Sequence, residues 1–226
     1  MIVRDEEQFL ESCLRQVIPY VNRILIAVDS RSSDKTEEIV RKLVDEFPLK
    51  VFAEFPIIGD EDWMRDLGEI QNRQLKMTTE KWVWSLDGDE YYPTESLEQL
   101  RNKLNEDVVG DDGYAFYFWY LIDKKHFIRR KQFMGYLERI WRNKDTLIWR
   151  RYSPEDKSFY HLYDEKCQLH FRKTTRIKKI WEVQYIHFSR LKNWSWRKDS
   201  GNTTLPRSHY IKELPSWVIN IVNKLT

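Results

Sequence analysis

With 226 residues, 41% of them hydrophobic and 33% charged, the chain has the balance of a soluble globular protein and the length for one large domain or two small ones. Cys13 and Cys167 are too few and too far apart for a disulfide framework, the MIVRDEE start has no signal-peptide pattern, and no apolar run reaches the roughly 20 residues of a membrane span, so a reducing, cytoplasmic setting is expected. The formal net charge of +2 conceals opposed halves: residues 1–112 hold 14 Lys and Arg against 26 Asp and Glu, a net of −12, and residues 113–226 hold 24 against 10, a net of +14.

The first half alternates strand and helix signals. Met1–Arg4 is a short apolar start, and Glu6–Val17 sets Phe9, Leu10, Cys13, Leu14 and Val17 on one helical face. Arg23–Val28 (RILIAV) is a buried strand, and Ser33 caps a predicted helix over Asp34–Phe47. Leu49–Phe55 is a third strand, stopped by Pro56; Asp66–Met77 is a helix, Trp82–Leu86 a fourth strand and Ser96–Leu104 another helix. This rhythm predicts βαβ units, hence an α/β fold with a mostly parallel central sheet flanked by helices.

The second half loses the rhythm. Gly113–Ile122, Tyr136–Arg142, Leu147–Arg151 and Ile180–Phe188 read as strands joined by basic segments, and Leu214, Val218, Ile221, Val222 and Leu225 form a terminal helical stripe that packs on the domain. With no repeat or linker, one domain over 1–226 is expected, in two parts divided near residue 112.

Carboxylates gather where strands of the first half end. Arg4-Asp5-Glu6-Glu7 follows the first, VDSRSSDKT (Val28–Thr36) carries Asp29 out of the second, and WVWSLDGDE runs into Asp87-Gly88-Asp89-Glu90. In open α/β sheets ligands bind beyond the carboxyl ends of strands. Backbone N–H groups at the helix start after Asp29 suit a phosphate, and Asp29 can accept from a ribose or base. Three carboxylates in four residues need a counter-charge or water. Hard divalent cations take oxygen ligands, so Asp87 and Asp89 are candidates for one ion carrying a diphosphate, with Gly88 admitting the ligand to the backbone. The plain alternative is a solvated Asp-Gly turn.

The order MIVRDEE, VDSRSSDKT, an Asn-containing helix and WVWSLDGDE resembles the nucleotide-sugar-binding half of family 2 glycosyltransferases, over roughly the first 100 residues. The resemblance implies a glycosyltransferase-A fold with a Rossmann-like nucleotide-binding half over 1–112 and a mixed acceptor half over 113–226. It implies nucleoside contacts from Asp5 or Glu6 and from Asp29, and a divalent metal, Mn²⁺ or Mg²⁺, with the donor diphosphate at Asp87 and Asp89. The family's Arg-Asn pair corresponds to Gln71-Asn72 followed by Arg73, which makes Asn72 and Arg73 donor-site candidates. Ser30 replaces a frequent second Asp, and Met1 falls inside the family's first strand, a trimmed start.

More weakly, LERIWRN (Leu137–Asn143) and IWRRYSPED (Ile148–Asp156) resemble the acceptor region, with Glu155 as the general base, Pro154 in place of a frequent His, and Asp156 and Glu138 as substitutes. IHFSR (Ile186–Arg190) places His187 near the metal or diphosphate. The implied activity is inverting, metal-dependent transfer from a nucleotide-diphospho-sugar, such as a UDP-sugar, to a hydroxyl of a glycan, protein or lipid, with no nucleic acid partner.

Other features have plainer readings. Cys167-x-x-His170 near His161 lacks the second ligand pair of a zinc site. Arg129-Arg130-Lys131, Arg150-Arg151 and Lys178-Lys179 are solvated surface, or contacts for the diphosphate, an anionic glycan or a membrane surface. Trp194 and Trp196 are candidates for sugar stacking, whereas the aromatics of GYAFYFWYLI belong to the core. Two rival functions stand beside transfer. A nucleotidyltransferase would show a Gly-rich basic loop after the first strand, where MIVRDEE is acidic. A non-catalytic glycan or nucleic-acid binding module would leave the strand-end carboxylates without a task.

Overall fold

The structure, a computed structural model, describes residues 1–59, 63–106, 110–121, 123–128, 136–150, 161–163, 177–188 and 211–225. In chain order the elements are β1 (Ile2–Val3), α1 (Leu10–Val17), β2 (Ile24–Val28), α2 (Thr36–Glu46), β3 (Val51–Glu54), α3 (Trp63–Met77), β4 (Trp82–Trp84), β5 (Glu90–Tyr91) and α4 (Thr94–Glu106). The second half supplies β6 (Gly113–Tyr120), β7 (His126–Ile128), β8 (Tyr136–Arg142), β9 (Ile148–Arg150), β10 (His161–Tyr163), β11 (Ile177–His187), β12 (Ile211–Glu213) and α5 (Ser216–Leu225).

The parallel pairing expected from the alternating pattern is found in β1-β2-β3, where Val3 sits beside Val28 and Ile24 beside Val51. β4 departs from it. It joins a five-stranded sheet, β4-β8-β6-β11-β5, in which only the β6–β11 pair is parallel. The pairs β9–β10 and β7–β12 are separate and antiparallel. Apolar burial on both faces explains why β6 reads as a continuous aromatic run: Tyr114, Ala115 and Phe116 are all buried between β8 and β11. At its entry, a Cβ on Gly113 would lie 2.5 Å from the Ile140 carbonyl oxygen, so only glycine permits this strand approach.

Two helix starts differ from expectation. α1 begins at Leu10 because Arg4–Glu7 is a turn, with Asp5 at φ 53°, docked on the loop before α2. The backbone N–H groups of Glu6 and Glu7 donate to Thr36 Oγ1 (2.7 Å) and Asp34 Oδ2 (2.9 Å). In return, Ser33 N and Lys35 N donate to Asp5 Oδ1 (2.7 Å) and Glu7 Oε2 (3.0 Å). Asp34, not Ser33, then accepts from the Thr36 N–H at 2.9 Å, and α2 starts there.

The main core packs α1, α2 and α4 on the sheets through Leu10, Leu14, Val40, Leu43, Leu97 and Leu100. A second cluster joins Phe9, just before α1, and Cys13 of α1 to Phe188 and to Val218 and Val222 of α5, with Phe9 and Phe188 stacked at 4.5 Å. The terminal stripe thus packs inward, and no helix among the described residues is long and apolar enough to cross a membrane.

Between the β1–β2 edge and β4 lies a cavity of about 1040 Å³. Leu25, Trp82 and Trp84 line it along its length, and Asp29, Arg31 and Asp87 lie at the strand ends that border it. The Met1 ammonium also faces this space, donating to the Leu25 carbonyl oxygen (2.8 Å) and to Gln74 Oε1 (3.3 Å). Burial lowers its pKa from 8.0 to about 6, against the attraction of Asp87 and Glu54. A folded-state pKa below the unfolded one means the unfolded chain binds more protons between pH 6 and 8, so stability rises with pH across that window. For the chain with a free Met1 amine the rise should be up to about 2 kcal/mol, and Nα-acetylation should flatten it. Urea titrations of both forms at pH 6 and pH 8 measure the difference; parallel profiles would refute the buried charge.

Candidate active site

Asp29 leaves the end of β2 almost fully buried, at 1% exposure. Its Oδ1 accepts from Arg31 N (3.1 Å) and Nε (3.2 Å), its Oδ2 from Arg31 Nη2 (3.1 Å), and Arg4 Nη1 stands 3.5 Å away. Burial pushes the Asp29 carboxyl up, but the Arg31 hydrogen bonds and charge, with Arg4 beyond, hold it below the ordinary range. It is therefore an ionised acceptor with two guanidinium groups beside it, facing the cavity.

The Asp87-Gly88-Asp89-Glu90 turn divides its carboxylates between two environments. Asp87 is half-exposed at the cavity, whereas Asp89 (4% exposed) and Glu90 (0%) turn inward. Gly88 has a packing reason to lack a side chain: a Cβ there would lie 3.1 Å from Val3 Cγ1 and 3.2 Å from Glu6 Cγ. The turn is thus pressed against the Arg4–Glu7 turn, and the first and third acidic segments of the sequence meet.

Two residues from the second half complete the cluster. β11 pairs antiparallel with β5, setting His187 opposite Glu90. One ligand atom each from Asp87, Glu90 and His187 falls within 4.8 Å of the others, and His187 Nε2 is 3.9 Å from Asp89 Oδ1. From β8, Arg139 Nη2 donates to Asp87 Oδ2 (2.8 Å) and to Glu90 Oε1, while Tyr92 Oη donates to Glu90 Oε2 (3.1 Å). Burial holds the Glu90 carboxyl well above its usual pKa against the pull of Arg139. Partial desolvation at the cavity wall pushes Asp87 up as well, but the Arg139 charge outweighs it and keeps Asp87 below the ordinary carboxylate range.

The structure thus brings Asp29, Asp87, Asp89 and His187 to the strand ends, and Asp5 and Glu6 beside them in the turn against which Gly88 packs. Asp5 Oδ1 is engaged by Ser33, through the backbone N–H at 2.7 Å and the hydroxyl at 3.1 Å, which makes it a support of the loop after Asp29.

Asn72 and Arg73 have protein partners in the structure. The Asn72 amide brackets the backbone of Trp149 on β9, donating to its carbonyl (2.9 Å) and accepting from its N–H (2.7 Å). Arg73 reaches Glu54 at 3.1 Å on the surface. Gln71 and Gln74, one turn apart on α3, face the cavity instead. Lys178 pairs with Asp111 at 3.0 Å at the start of β11, roughly 30 Å of strand from His187, too far for a shared diphosphate. Glu155, Asp156, Cys167, His170, Trp194, Trp196 and the Arg129–Lys131 run lie outside the described residues, and Glu138 neighbours Arg139 on β8, where side chains alternate between faces. Glu90 and Arg139 were not expected at the site. Their signal was an acidic residue ending the motif and a cation inside an apolar strand (LERIW).

Comparisons with known proteins bear on the family and the fold. A TPR repeat-containing protein of Synechococcus elongatus is 32% identical over 106 residues, 47% of this chain and 23% of its own length. The SPbeta prophage-derived glycosyltransferase SunS of Bacillus subtilis is 26% identical over 100 residues, 44% of this chain and 21% of its own. The chain thus spans about a quarter or less of these relatives. Among solved structures, S. aureus TarS residues 1–349 superposes with a TM-score of 0.51 at 17% identity, covering 82% of this chain and 58% of that one. The same protein in complex with UDP-GlcNAc superposes with a TM-score of 0.52, covering 82% and 56%. At that identity the likeness is one of fold, of the glycosyltransferase-A type. The model of "Glycosyl transferase family 2" matches residues 1–166, most of the chain, and the chain belongs to that family.

Proposed function

We propose that the chain is a metal-dependent, inverting glycosyltransferase that moves a sugar from a UDP-sugar to a hydroxyl of a glycan, protein or lipid. The observation that carries this reading is that Asp87 and His187 offer ligand atoms within 4.8 Å of each other, at a turn whose Asp87 shares the cavity with Asp29. Family membership and the nucleotide-sugar bound by TarS support the donor class.

The donor set fits one hard divalent cation. Asp87 and His187 offer an oxygen and a nitrogen, with Asp89 behind His187, whereas Glu90 is occupied by Arg139 and Tyr92. A mixed oxygen and nitrogen set suits Mn²⁺ better than Mg²⁺. When bound, such an ion would stabilise the charge developing on the departing diphosphate.

The chain's own residues do the rest. Asp29 accepts from the nucleoside, and Arg4 and Arg31, already at its carboxylate, present positive charge to an anionic donor. Glu155 acts as general base, taking the proton of the acceptor hydroxyl as its oxygen attacks the anomeric carbon opposite the leaving group. The test is calorimetric titration of UDP into the intact protein with Mn²⁺ and again with chelator. Binding that needs the metal supports the reading; no UDP binding under either condition removes a UDP-sugar as donor.

A further inference from the structure

Arg139, a cation inside the apolar strand β8, holds the metal-facing turn from two directions. Its backbone carbonyl accepts from Ser85 N at 2.8 Å, just past the end of β4, and its side chain reaches Asp87 two residues further on. The guanidinium is almost fully buried and has partners in the Asp87 turn, on β5 and on β11. Nη2 serves Asp87 and Glu90, Nε donates to Tyr185 Oη (3.3 Å), and the Tyr185 ring lies 5.7 Å from the guanidinium carbon. Tyr185 stacks on Tyr92 at 4.8 Å, and Tyr92 donates to Glu90. The arginine is thus held between packed rings, the buried Glu90 carboxylate and the Asp87 carboxylate at the cavity.

We propose that Arg139 is the positioning residue of the candidate metal site: it fixes the Asp87 carboxylate through Oδ2 and leaves the other oxygen for a cation, with Glu90 as its buried counter-ion. This rests on the donor-site reading above. A planar fork matters here, because one guanidinium must reach two carboxylates and a hydroxyl at once, which an ammonium on a flexible stem does not do.

A purely structural ion pair and a positioning residue predict different double variants. Arg139→Met strands Glu90 in the core, so a lower melting temperature is expected under either view. Adding Glu90→Gln removes the stranded charge and keeps an acceptor for Tyr92. If Arg139 positions Asp87, R139M/E90Q regains the melting temperature while its Mn²⁺-dependent UDP affinity stays about tenfold or more below that of Glu90→Gln alone, the scale of one lost charge-assisted hydrogen bond. If the double variant binds UDP with Mn²⁺ as Glu90→Gln alone does, the proposal is overturned. Should the double variant not fold, Arg139→Lys decides: it keeps the charge and loses the fork, and unaltered affinity in it overturns the proposal equally.

Failure of the functional reading would look different. The unaltered protein would then bind no UDP with any metal, and hydrogen exchange at the Asp87–Glu90 amides takes over as readout. Faster exchange in whichever variant folds, confined to that turn, supports positioning; unchanged exchange overturns it.

Discussion

Asp87→Asn should abolish metal-dependent UDP binding at concentrations that saturate the unaltered protein, and should lower sugar transfer by about 100-fold or more, the scale seen when one group that stabilises developing charge is removed. The substitution keeps size and shape and removes one charge, so the effect isolates electrostatics. Asp87 is the carboxylate of its turn that faces the cavity, half-exposed where Asp89 and Glu90 are buried. Because it is half-exposed, its pairing with Arg139 adds little to folding, and the variant should lose no more than about 1 kcal/mol in a urea titration. Calorimetry with and without Mn²⁺, together with transfer from a labelled UDP-sugar, checks both parts. Normal metal-dependent binding in the variant would put the donor's metal elsewhere.

The largest effect on stability should come from Phe116→Ala, at about 3–5 kcal/mol. Phe116 is 0% exposed in the middle of the five-stranded sheet, beside both β8 and β11, with the Tyr92 ring edge-on at 6.4 Å. A cavity there opens under the same Tyr92 that holds Glu90, so the site should loosen with the core. Phe52, 41% exposed on β3, is the control, and its truncation should cost under about 1 kcal/mol. A Phe116 cost as small as that of Phe52 would contradict two-sided burial of β6.

Local pattern carried a good part of this fold. The period-2 and 3.6-residue signals placed β2, α2, β3, α3 and β4 in order, and the predicted span of β8, Tyr136–Arg142, is the observed one. Asp29 and Asp87 at strand ends followed from that order, and the family resemblance implies a nucleotide-sugar role for them. Helix starts were less legible, since Asp5, Glu7, Ser33 and Asp34 exchange hydrogen bonds across 27 to 28 residues and move both α1 and α2.

What a one-dimensional pattern cannot hold is which distant strands become neighbours. Arg139 reaches Glu90 across 49 residues, and Asn72 is claimed by Trp149 across 77, because antiparallel register and packing, not propensity, set those pairs. The same pairing of β11 with β5 delivers His187 to the Asp-x-Asp turn. The residue types and strand ends needed for a cation and a diphosphate were therefore legible in the sequence. Which carboxylate faces the cavity and which is buried as a counter-ion was decided by tertiary structure, because burial and charge pairing exist only once the two halves meet.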